Sequence, residues 1–420
     1  MATSTGSGAR VQRLLSHRTL RPTTTTELVE ALCESTSAQP QVTVCGAGTA
    51  GAWAEQPGHA DLILDTTALS GVLTYNPSDM TVAVRAGTTL ESLQAEVGEK
   101  RQRVAFDPAR AGRGATVGGL LATADGGPAR HAFGALRDHV IGVTVVLADG
   151  TVARSGGHVI KNVAGYDLTK LFSGSFGTLG VLSEIVLRLH PRPRATATVE
   201  VEIPRTDAFA ASQTIAAAGI EPAAVELLSL NEPDSARLLL RFEGSPSGVS
   251  ERTSAVRGLS RYPVHLLDEE EAMRRWAEVD AVCIGEPGDT VVRFGARPAA
   301  AATTTARLAA EAGGLGLQLE SAGTLQRGVH TIRLRRGDAK AHTQLLRELH
   351  AAVGPACTVL RRDGLEPGAS LWGPAPAAVA LMRAVKQRFD PANRFGASRL
   401  AAWLSAPSTN DVATEGEQLA

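Results

Sequence analysis

The chain has 420 residues, with 42 basic and 43 acidic side chains and a formal net charge of −1. This balance gives no broad positive field for nucleic acid or an anionic membrane surface, so small molecules and proteins are the expected partners. Hydrophobic residues make up 43% of the chain, which is ordinary for a globular protein of two or three domains. No segment reaches the ~20 apolar residues that a transmembrane helix requires.

The cysteines argue against a metal centre held by this chain alone. Cys33, Cys45, Cys283 and Cys357 lie far apart and form no C-x-x-C pair, so neither an iron–sulfur site nor a disulfide framework is expected. The N-terminal segment MATSTGSGARVQRL is polar and has no apolar signal core. A reducing cytoplasm fits these observations.

Strand and helix patterns alternate after the polar residues 1–18. Thr24 with Glu27 predicts a capping box at the start of the helix TTTELVEALCEST, and Thr88 with Glu91 repeats this signature at the start of TTLESLQAEV. The runs QVTVC, DLILD and MTVAVRAG predict strands. IGVTVVLADGTVARS predicts a hairpin around its Asp-Gly turn.

The pattern changes after the proline-rich end of GVLSEIVLRLHPRP. From residue 196 the predicted order is β-α-β-β-α-β, with helices near 206–218 and 247–260, and a similar order recurs from 290 to 360. Each run has the order of a ferredoxin-like unit. The helix AAVALMRAVKQRFDP follows and is predicted to end at Asp390-Pro391.

The first glycine-rich turn leaves more than one interpretation open. Gly46, Gly48 and Gly51 form a G-x-G-x-x-G pattern directly after QVTVC, which is typical of a Rossmann dinucleotide fold. Such a fold needs a long helix after the glycines, but Pro57-Gly58 follows within a few residues. We therefore favour a short turn whose backbone N–H groups bind phosphate oxygens. A plain connecting turn is the alternative.

Two further segments rich in small residues follow. The first, FDPARAGRGATVGGLLATADGG, covers residues 106–127, and the second, GHVIKNVAGYDLTKLFSGSFGTLGVLSEIVLRLHPRP, ends in a strand. Thr116 and the N–H groups of Val117, Gly118 and Gly119 are candidates to clasp a second phosphate or the edge of a ring. Three such segments predict several loops that converge on one extended ligand.

Together these segments resemble a known family of flavoproteins. GAGTAG, ATVGGLLAT, FGALRDHVIGVTVVLADG, KNVAGYDLTKLFSGSFGTLGVLSEI and KQRFDPANRF are similar to the vanillyl-alcohol oxidase and p-cresol methylhydroxylase (PCMH) family. The fourth segment is most similar to the members of that family that serve as a FAD-binding component of glycolate oxidase. The resemblance covers residues 20–190 and 375–400.

The resemblance implies an α+β protein in which a PCMH-type FAD-binding domain of two subdomains carries a ferredoxin-like α+β cap. The implied division is a flexible tail at 1–18, the FAD-binding domain at 19–195, the cap or substrate domain at 196–373, a C-terminal helix that returns to the FAD domain at 374–404, and a flexible tail at 405–420.

The resemblance also implies the residues that bind FAD. The pyrophosphate loop matches Gly46, Ala47, Gly48, Thr49 and Ala50, and the second FAD loop matches Thr116, Val117, Gly118 and Gly119. The pair before the hairpin matches Arg137 and Asp138, and the adenine end matches Gly180, Glu184 and Ile185.

Departures from the family pattern refine these expectations. No histidine lies in the first turn, so FAD is expected to be bound non-covalently. The His-Gly-rich metal motif of the catalytic D-2-hydroxyacid dehydrogenase relatives is missing, so no metal is expected. The family's C-terminal N-P-G is replaced by FGAS at Phe395 to Ser398, which puts that turn in doubt.

Several residues of the FAD-binding part have both a functional and a structural interpretation. Arg137-Asp138 could instead be an ordinary surface ion pair. Asp167 could cap the helix DLTKLF with Tyr166 packed beside it. Alternatively, these two residues could border the flavin or a subunit interface together with two neighbours, Lys161 and Asn162. The histidines of this region, His131 and His139, are expected to be loop or packing residues.

Five side chains of the cap are candidates to reach a substrate carboxylate: Arg275, Trp276, Arg293, Arg333 and Arg335. A guanidinium fork suits that task, but each residue taken by itself is expected on an exposed strand or helix face.

The function implied by the resemblance is that of a FAD-binding subunit in a glycolate oxidase-like complex. It would oxidise a 2-hydroxy acid, glycolate or D-lactate, by hydride transfer to the flavin. Electrons would leave to an iron–sulfur subunit, a sister flavin subunit would complete the complex, and partners could hold it at the inner face of the membrane. Two alternatives stay open: a FAD-binding subunit that relays electrons without catalysis, and an NAD-binding Rossmann dehydrogenase. The sequence does not indicate the catalytic base.

Overall fold

The computed structural model describes residues 18–34, 41–55, 60–158, 167–230, 235–396 and 399–404. Two sheets organise the N-terminal part, and one large sheet organises the C-terminal part. Within the described ranges, no helix combines the length and apolar character needed to cross a bilayer.

A small parallel sheet comes first. Its strands are β1 (Arg18–Leu20), β2 (Val42–Cys45) and β3 (Leu62–Asp65), in the spatial order β1-β3-β2. Helix α1 (Thr25–Glu34) packs on this sheet through Leu28 and Leu32, which are fully buried. The predicted cap is present, because Thr24 Oγ1 accepts a hydrogen bond from the Glu27 N–H at 3.1 Å.

A five-stranded antiparallel sheet follows. Its strands, in spatial order, are β4 (Val72–Asn76), β5 (Thr81–Arg85), β9 (Val181–Arg188), β7 (Val140–Val146) and β8 (Val152–Gly156). Helices α2 (Leu90–Gly98) and α3 (Val117–Ala122) share one apolar core with this sheet, in which Val84 and Ile185 are fully buried. Shorter elements connect these layers: β6 (Gln102–Arg103), α4 (Arg130–Phe133), α5 (Leu136–His139), α6 (Thr169–Phe172) and β10 (His190–Pro191).

Helix α2 begins one residue later than the capping signature predicts. The capping side chain is Thr89, which accepts a hydrogen bond from the Ser92 N–H at 3.1 Å. Thr88 instead accepts the Gly71 N–H at 2.9 Å and so ties two loops together. Two adjacent threonines made the signature ambiguous by one position.

The C-terminal part builds one eight-stranded antiparallel sheet from two units of the same order. The first unit is β11 (Ala195–Pro204), α7 (Ala208–Ala217), β12 (Ala224–Ser229), β13 (Ser235–Gly244), α8 (Pro246–Leu259) and β14 (Val264–Leu267). After the joining helix α9 (Glu269–Ile284), the second unit is β15 (Thr290–Gly295), α10 (Pro298–Gly314), β16 (Gln318–Thr324), β17 (Val329–Arg335), α11 (Ala339–Val353) and β18 (Cys357–Arg362).

The spatial order of this sheet is β14-β11-β13-β12-β16-β17-β15-β18. Each unit therefore has the ferredoxin-like order, and the two units join through antiparallel pairing of β12 with β16. The predicted ferredoxin-like character and its repetition are confirmed.

The two faces of the cap sheet have different partners. Four helices, α7, α8, α10 and α11, cover one face, where Val225 and Val292 lie in their cores. Because side chains alternate along a strand, the neighbouring Glu226 and Arg293 point to the opposite face. Helix α9 packs on that opposite face through Val279. The N-terminal part covers more of the same face, as the contacts of Arg293 described below show.

The C-terminal segment returns to the N-terminal sheets. It consists of α12 (Val379–Phe389) and α13 (Ala401–Leu404). As predicted, α12 ends before Asp390. Phe395 forms a parallel bridge with Val42 at the edge of the small sheet, and the Lys386 ammonium donates to the Thr178 carbonyl at 2.8 Å.

Candidate functional site

The first glycine turn leaves β2 without entering a helix. Turns and bends run from Gly46 to Glu55. Gly48 has a φ of +71°, and its carbonyl accepts the Gly51 N–H at 2.9 Å. The amide donors of Ala47, Thr49 and Ala50 meet no backbone carbonyl in the described ranges. The predicted short turn is present, and the described part of this connection lacks the helix of a Rossmann unit.

The second glycine segment forms the N-terminus of α3, and its N–H groups are already hydrogen-bonded within the protein. Thr116 caps α3, since its Oγ1 accepts the Gly119 N–H at 3.2 Å. The Val117 N–H donates to the Thr88 carbonyl at 2.9 Å, and the Gly118 N–H donates to the Ala86 carbonyl at 2.8 Å. The expectation that these N–H groups clasp a phosphate is therefore corrected, because each is already bonded within the protein. The glycines serve close packing instead: a Cβ on Gly118 would lie 2.7 Å from the Ala86 Cβ.

The two glycine segments meet at one place. A Cβ on Gly46 would lie 2.6 Å from Thr116 Oγ1, so the turn touches the N-terminus of α3. Together with residues 175–182 they line a cleft of about 890 Å³, counting the solvent at its mouth. The structure thus brings the three predicted segments to a single cleft.

Nine of the fourteen sequence-predicted residues line this cleft: Gly46, Ala47, Gly48, Thr49, Ala50, Thr116, Gly118, Gly119 and Gly180. The other five are not on its wall: Val117, Arg137, Asp138, Glu184 and Ile185. The division follows chain geometry, because glycine and small residues occupy the turns while the remaining five lie in packed or exposed secondary structure.

Each of those five residues has a structural role where it lies. Val117 and Ile185 are fully buried in the core of the five-stranded sheet. Glu184 accepts a hydrogen bond from a threonine hydroxyl on β7 at 2.9 Å. Arg137 and Asp138 are half-exposed and form a loose ion pair at 3.9 Å. Asp138 also accepts the backbone N–H that precedes α5 at 2.8 Å, which favours the structural interpretation of this pair.

Two arginines that the sequence did not single out lie on the cleft wall, Arg110 and Arg399. Arg399 Nη1 donates to the Trp53 carbonyl at 2.9 Å, across 346 positions of sequence. Burial lowers the pKa of Arg399 to about 10, so it remains a cation at neutral pH. No local sequence signal predicts this placement, because the contact exists only after the C-terminal segment has docked.

A buried carboxylate, Asp125, links this cleft to the cap. It forms ion pairs with Arg110 and with Arg293, whose Nη1 lies 2.9 Å from Asp125 Oδ1. The side chains of Asp125, Arg110 and Arg293 are 0%, 5% and 14% exposed. Burial alone would raise the pKa of Asp125, but the two guanidinium groups outweigh burial and hold it below its usual value. Arg110 also lies 3.8 Å from the centroid of the Trp53 ring.

The cap candidates other than Arg293 are committed to partners within the cap. Arg275 donates to Glu200 at 2.6 Å, and the Trp276 indole donates to a threonine on β11 at 3.1 Å. Arg333 donates to Asp289 at 2.6 Å. Arg335 donates to a glutamate of β16 at 3.2 Å. The expectation of exposed faces is corrected for two of the arginines, since Arg333 is buried and Arg293 lies at the junction with the N-terminal part.

The remaining candidates have structural surroundings. His139 is buried and contacts His190 edge to face, and burial lowers the pKa of His139 to about 4. The pKa of His131 is also lowered to about 4 by burial, and its carbonyl accepts from Arg327 at 3.1 Å. Asp167 accepts from the Thr169 hydroxyl at the start of α6, but the N-cap position of this helix is Leu168, so Asp167 is next to the cap and not at it. Three other candidates lie outside the described residues: Lys161, Asn162 and Tyr166.

The described ranges contain no group of three or more His, Cys, Asp or Glu side chains placed to hold a metal ion.

Residues 17–156 match the family model described as FAD binding domain. The matched range contains both the first glycine turn and the start of α3, which form most of the cleft wall.

Curated relatives include two glycolate oxidase subunits. Glycolate oxidase subunit GlcE of Escherichia coli is 39% identical over 146 residues, which is 35% of this chain and 42% of that protein. Glycolate oxidase subunit GlcD of Bacillus subtilis is 31% identical over 281 residues, which is 65% of this chain and 56% of that protein. The chain thus spans about half the length of the curated relatives it matches.

The fold as a whole resembles that of a solved enzyme. An alkyldihydroxyacetonephosphate synthase structure superposes with a TM-score of 0.67 at 14% identity, covering 90% of this chain and 76% of that chain. At this identity the likeness shows the fold alone, and it extends over the cap as well as the FAD-binding part.

The cleft residues fit FAD, which carries two linked phosphates. The uncommitted N–H groups of the first turn supply hydrogen-bond donors, and Arg110 and Arg399 supply positive charge. Gly46 leaves the space that a side chain would fill against Thr116. Phosphate recognition by backbone donors and nearby cations is therefore available at this cleft.

Proposed function

We propose that the chain is a FAD-dependent oxidoreductase subunit of a glycolate oxidase-like complex that acts on a 2-hydroxy acid, glycolate or D-lactate. The convergence of two glycine segments on one cleft within the FAD-binding domain carries this proposal. The matches to GlcE and GlcD support the reaction class and the place in a complex.

The residues of the first turn, with Thr116, Gly118, Gly119 and Gly180, are proposed to contact FAD bound non-covalently. The free amides of the turn and Arg399 would bind the pyrophosphate, because the turn and Arg399 line the same cleft. When bound, FAD supplies a hydride acceptor for the α-carbon of the substrate. The cap would exclude water, since its junction with the cleft is closed by Asp125, Arg293 and Trp53.

The partners are proposed from the reaction. Electrons taken from a 2-hydroxy acid must leave the flavin, and an iron–sulfur subunit would accept them. A sister flavin subunit is proposed because the two relatives bear the names of different glycolate oxidase subunits. A complex of this kind would be cytoplasmic or peripheral at the inner face of the membrane.

A second candidate is a subunit that binds FAD but relays electrons or supplies an interface. The sequence favours it, because the His-Gly-rich metal motif of the catalytic relatives is missing. The reaction would then take place on the sister subunit.

Anaerobic mixing of the FAD-loaded chain with glycolate or D-lactate tests these two candidates. Bleaching of the flavin absorption by the isolated chain is expected if it catalyses the oxidation. A spectrum that bleaches only after the partner subunits are added supports the relay. A flavin that neither acid reduces, alone or with partners, contradicts both.

A further inference from the structure

A pocket lined by aromatic side chains lies beside the cleft that is proposed to bind FAD. It forms where the first turn meets β18 and the C-terminal segment, and it shares Thr123 and Phe176 with the wall of that cleft. Its free space of about 290 Å³ exceeds the ~150 Å³ of an apolar cavity that takes up benzene. The pocket is therefore large enough for a small aromatic molecule next to the flavin site.

Aromatic rings dominate the wall of this pocket. Three of the four tryptophans of the chain line it: Trp53, Trp372 and Trp403. The ring centroid of Trp372 lies 5.9 Å from that of Phe176, edge to face, and 4.7 Å from that of Trp403. The indole N–H groups of Trp372 and Trp403 each donate to a backbone carbonyl at 3.1 Å. Because these polar groups are used within the protein, the rings offer a ligand mainly apolar surface.

The wall carries little charge. Arg293 is its one charged side chain in the described ranges, and it is paired with Asp125 at 2.9 Å. The Thr123 hydroxyl donates to the Gly119 carbonyl at 2.8 Å. Burial raises the pKa of Cys357 to about 12, so this thiol is uncharged at neutral pH. Such a wall favours an uncharged ring over a carboxylate, which would lose its hydration without gaining a free cation.

We propose that this pocket binds a quinone, an uncharged planar ring, which accepts the electrons of the reduced flavin. This inference rests on the proposed function, which it extends by a second exit for electrons beside the iron–sulfur subunit. The net reaction balances without a further reagent. The 2-hydroxy acid loses two electrons and two protons to become a 2-oxo acid, and the quinone takes them up, so that its two C=O groups become hydroxyls.

The position and the shape of the pocket favour this class of ligand. A ring held there lies next to the flavin cleft, since Thr123 and Phe176 belong to both walls. The aromatic side chains can hold a flat ring by stacking and by edge contacts. Thr358 is paired with Arg293 on the neighbouring strand, so both side chains point to the same side of the cap sheet. The Thr358 hydroxyl on the pocket wall is a hydrogen-bond donor for a quinone oxygen.

Equilibrium dialysis of the oxidised, FAD-loaded full chain against duroquinone tests the pocket. All ring carbons of duroquinone are substituted, so it does not add to a thiol such as that of the exposed Cys33. Met382 is on the pocket wall, and Met382→Trp fills part of the space. Leu381→Trp is the matched control, because it places the same ring on α12 at a position that is 66% exposed and outside the pocket. Flavin content and the unfolding midpoint are measured for every variant.

We expect the wild type and Leu381→Trp to bind duroquinone equally well and Met382→Trp to bind it at least ~10-fold more weakly, with unchanged flavin content. A wild type that binds no duroquinone overturns the inference, as does wild-type affinity in Met382→Trp. Binding by the FAD-free chain that is lost when FAD is added also overturns it, because the pocket would then hold the flavin ring itself. Should Met382→Trp not fold, Thr358→Phe fills the pocket from the cap side, and the same outcomes decide.

A second measurement separates this inference from the proposed function. The flavin is reduced by light in the presence of EDTA, so that no 2-hydroxy acid is needed, and is then mixed anaerobically with duroquinone. Recovery of the flavin absorption that is slower in Met382→Trp than in Leu381→Trp supports the pocket, even if neither glycolate nor D-lactate bleaches the flavin. Bleaching by glycolate with equal recovery in the two variants supports the proposed function and overturns the pocket.

Discussion

At the residue scale, Gly46 is the position where the absence of a side chain matters most. A Cβ there would lie 2.6 Å from Thr116 Oγ1, which is closer than a van der Waals contact. The two segments that form the cleft would therefore have to move apart. Gly46→Val is expected to push the turn away from α3 and to lower FAD affinity by ~10-fold or more. Equilibrium dialysis of the refolded apoprotein against FAD measures this.

Gly112→Val is the matched control for this substitution. A Cβ at Gly112 meets nothing within 4 Å, and the residue lies in the same glycine-rich segment as Thr116. It should bind FAD as the wild type does. Undiminished FAD binding by Gly46→Val would show that the turn does not contact the cofactor.

At the scale of elements, the C-terminal helix α12 holds its segment through one buried lysine. Lys386 donates to the Asp390 carboxylate at 2.5 Å and to the Phe395 carbonyl at 2.9 Å, and the Asp390 side chain is fully buried. Lys386→Met would remove the ammonium group that is hydrogen-bonded to that carboxylate. We expect the free energy of unfolding to fall by ~3 kcal/mol, measured by urea denaturation.

Lys340→Met serves as the control for this loss of charge. Lys340 is exposed at the start of α11, so its replacement should change stability by less than ~0.5 kcal/mol. Equal stabilities of the two variants would mean that the lysine does not hold the C-terminal segment in place.

The same scale shows what the sequence could and could not predict. The ferredoxin-like units were predictable because runs such as ARLLLRF alternate with amphipathic helices, a pattern local to each element. The glycine turn was also predictable, because Pro57-Gly58 leaves no room for a Rossmann helix. The predicted capping residue of α2 was wrong by one position, because Thr88 and Thr89 are adjacent and either side chain is able to cap a helix.

Long-range contacts were not predictable from local pattern. Arg399 reaches the cleft only through docking of the C-terminal segment, and Arg293 is buried only because the cap sheet turns one face toward the N-terminal part. A different cause removed Arg137 and Glu184 from the predicted site. They are near the cleft in sequence, but their side chains are used in local structure.

At the scale of the whole molecule, one buried carboxylate joins the FAD-binding part to the cap. Asp125 pairs with Arg110 on the wall of the first cleft and with Arg293 on the cap sheet. This junction and the docked C-terminal segment hold the FAD-binding part and the cap together.

The central claim is that the cleft between the first glycine turn and α3 binds FAD without a covalent bond. The most direct measurement is the absorption spectrum of the purified full chain, followed by acid precipitation and identification of the released chromophore. We predict a yellow protein that releases about one FAD per chain into the supernatant, as one cleft of this kind implies. A colourless protein that takes up no FAD on titration, or a flavin that stays with the precipitated polypeptide, would contradict the account.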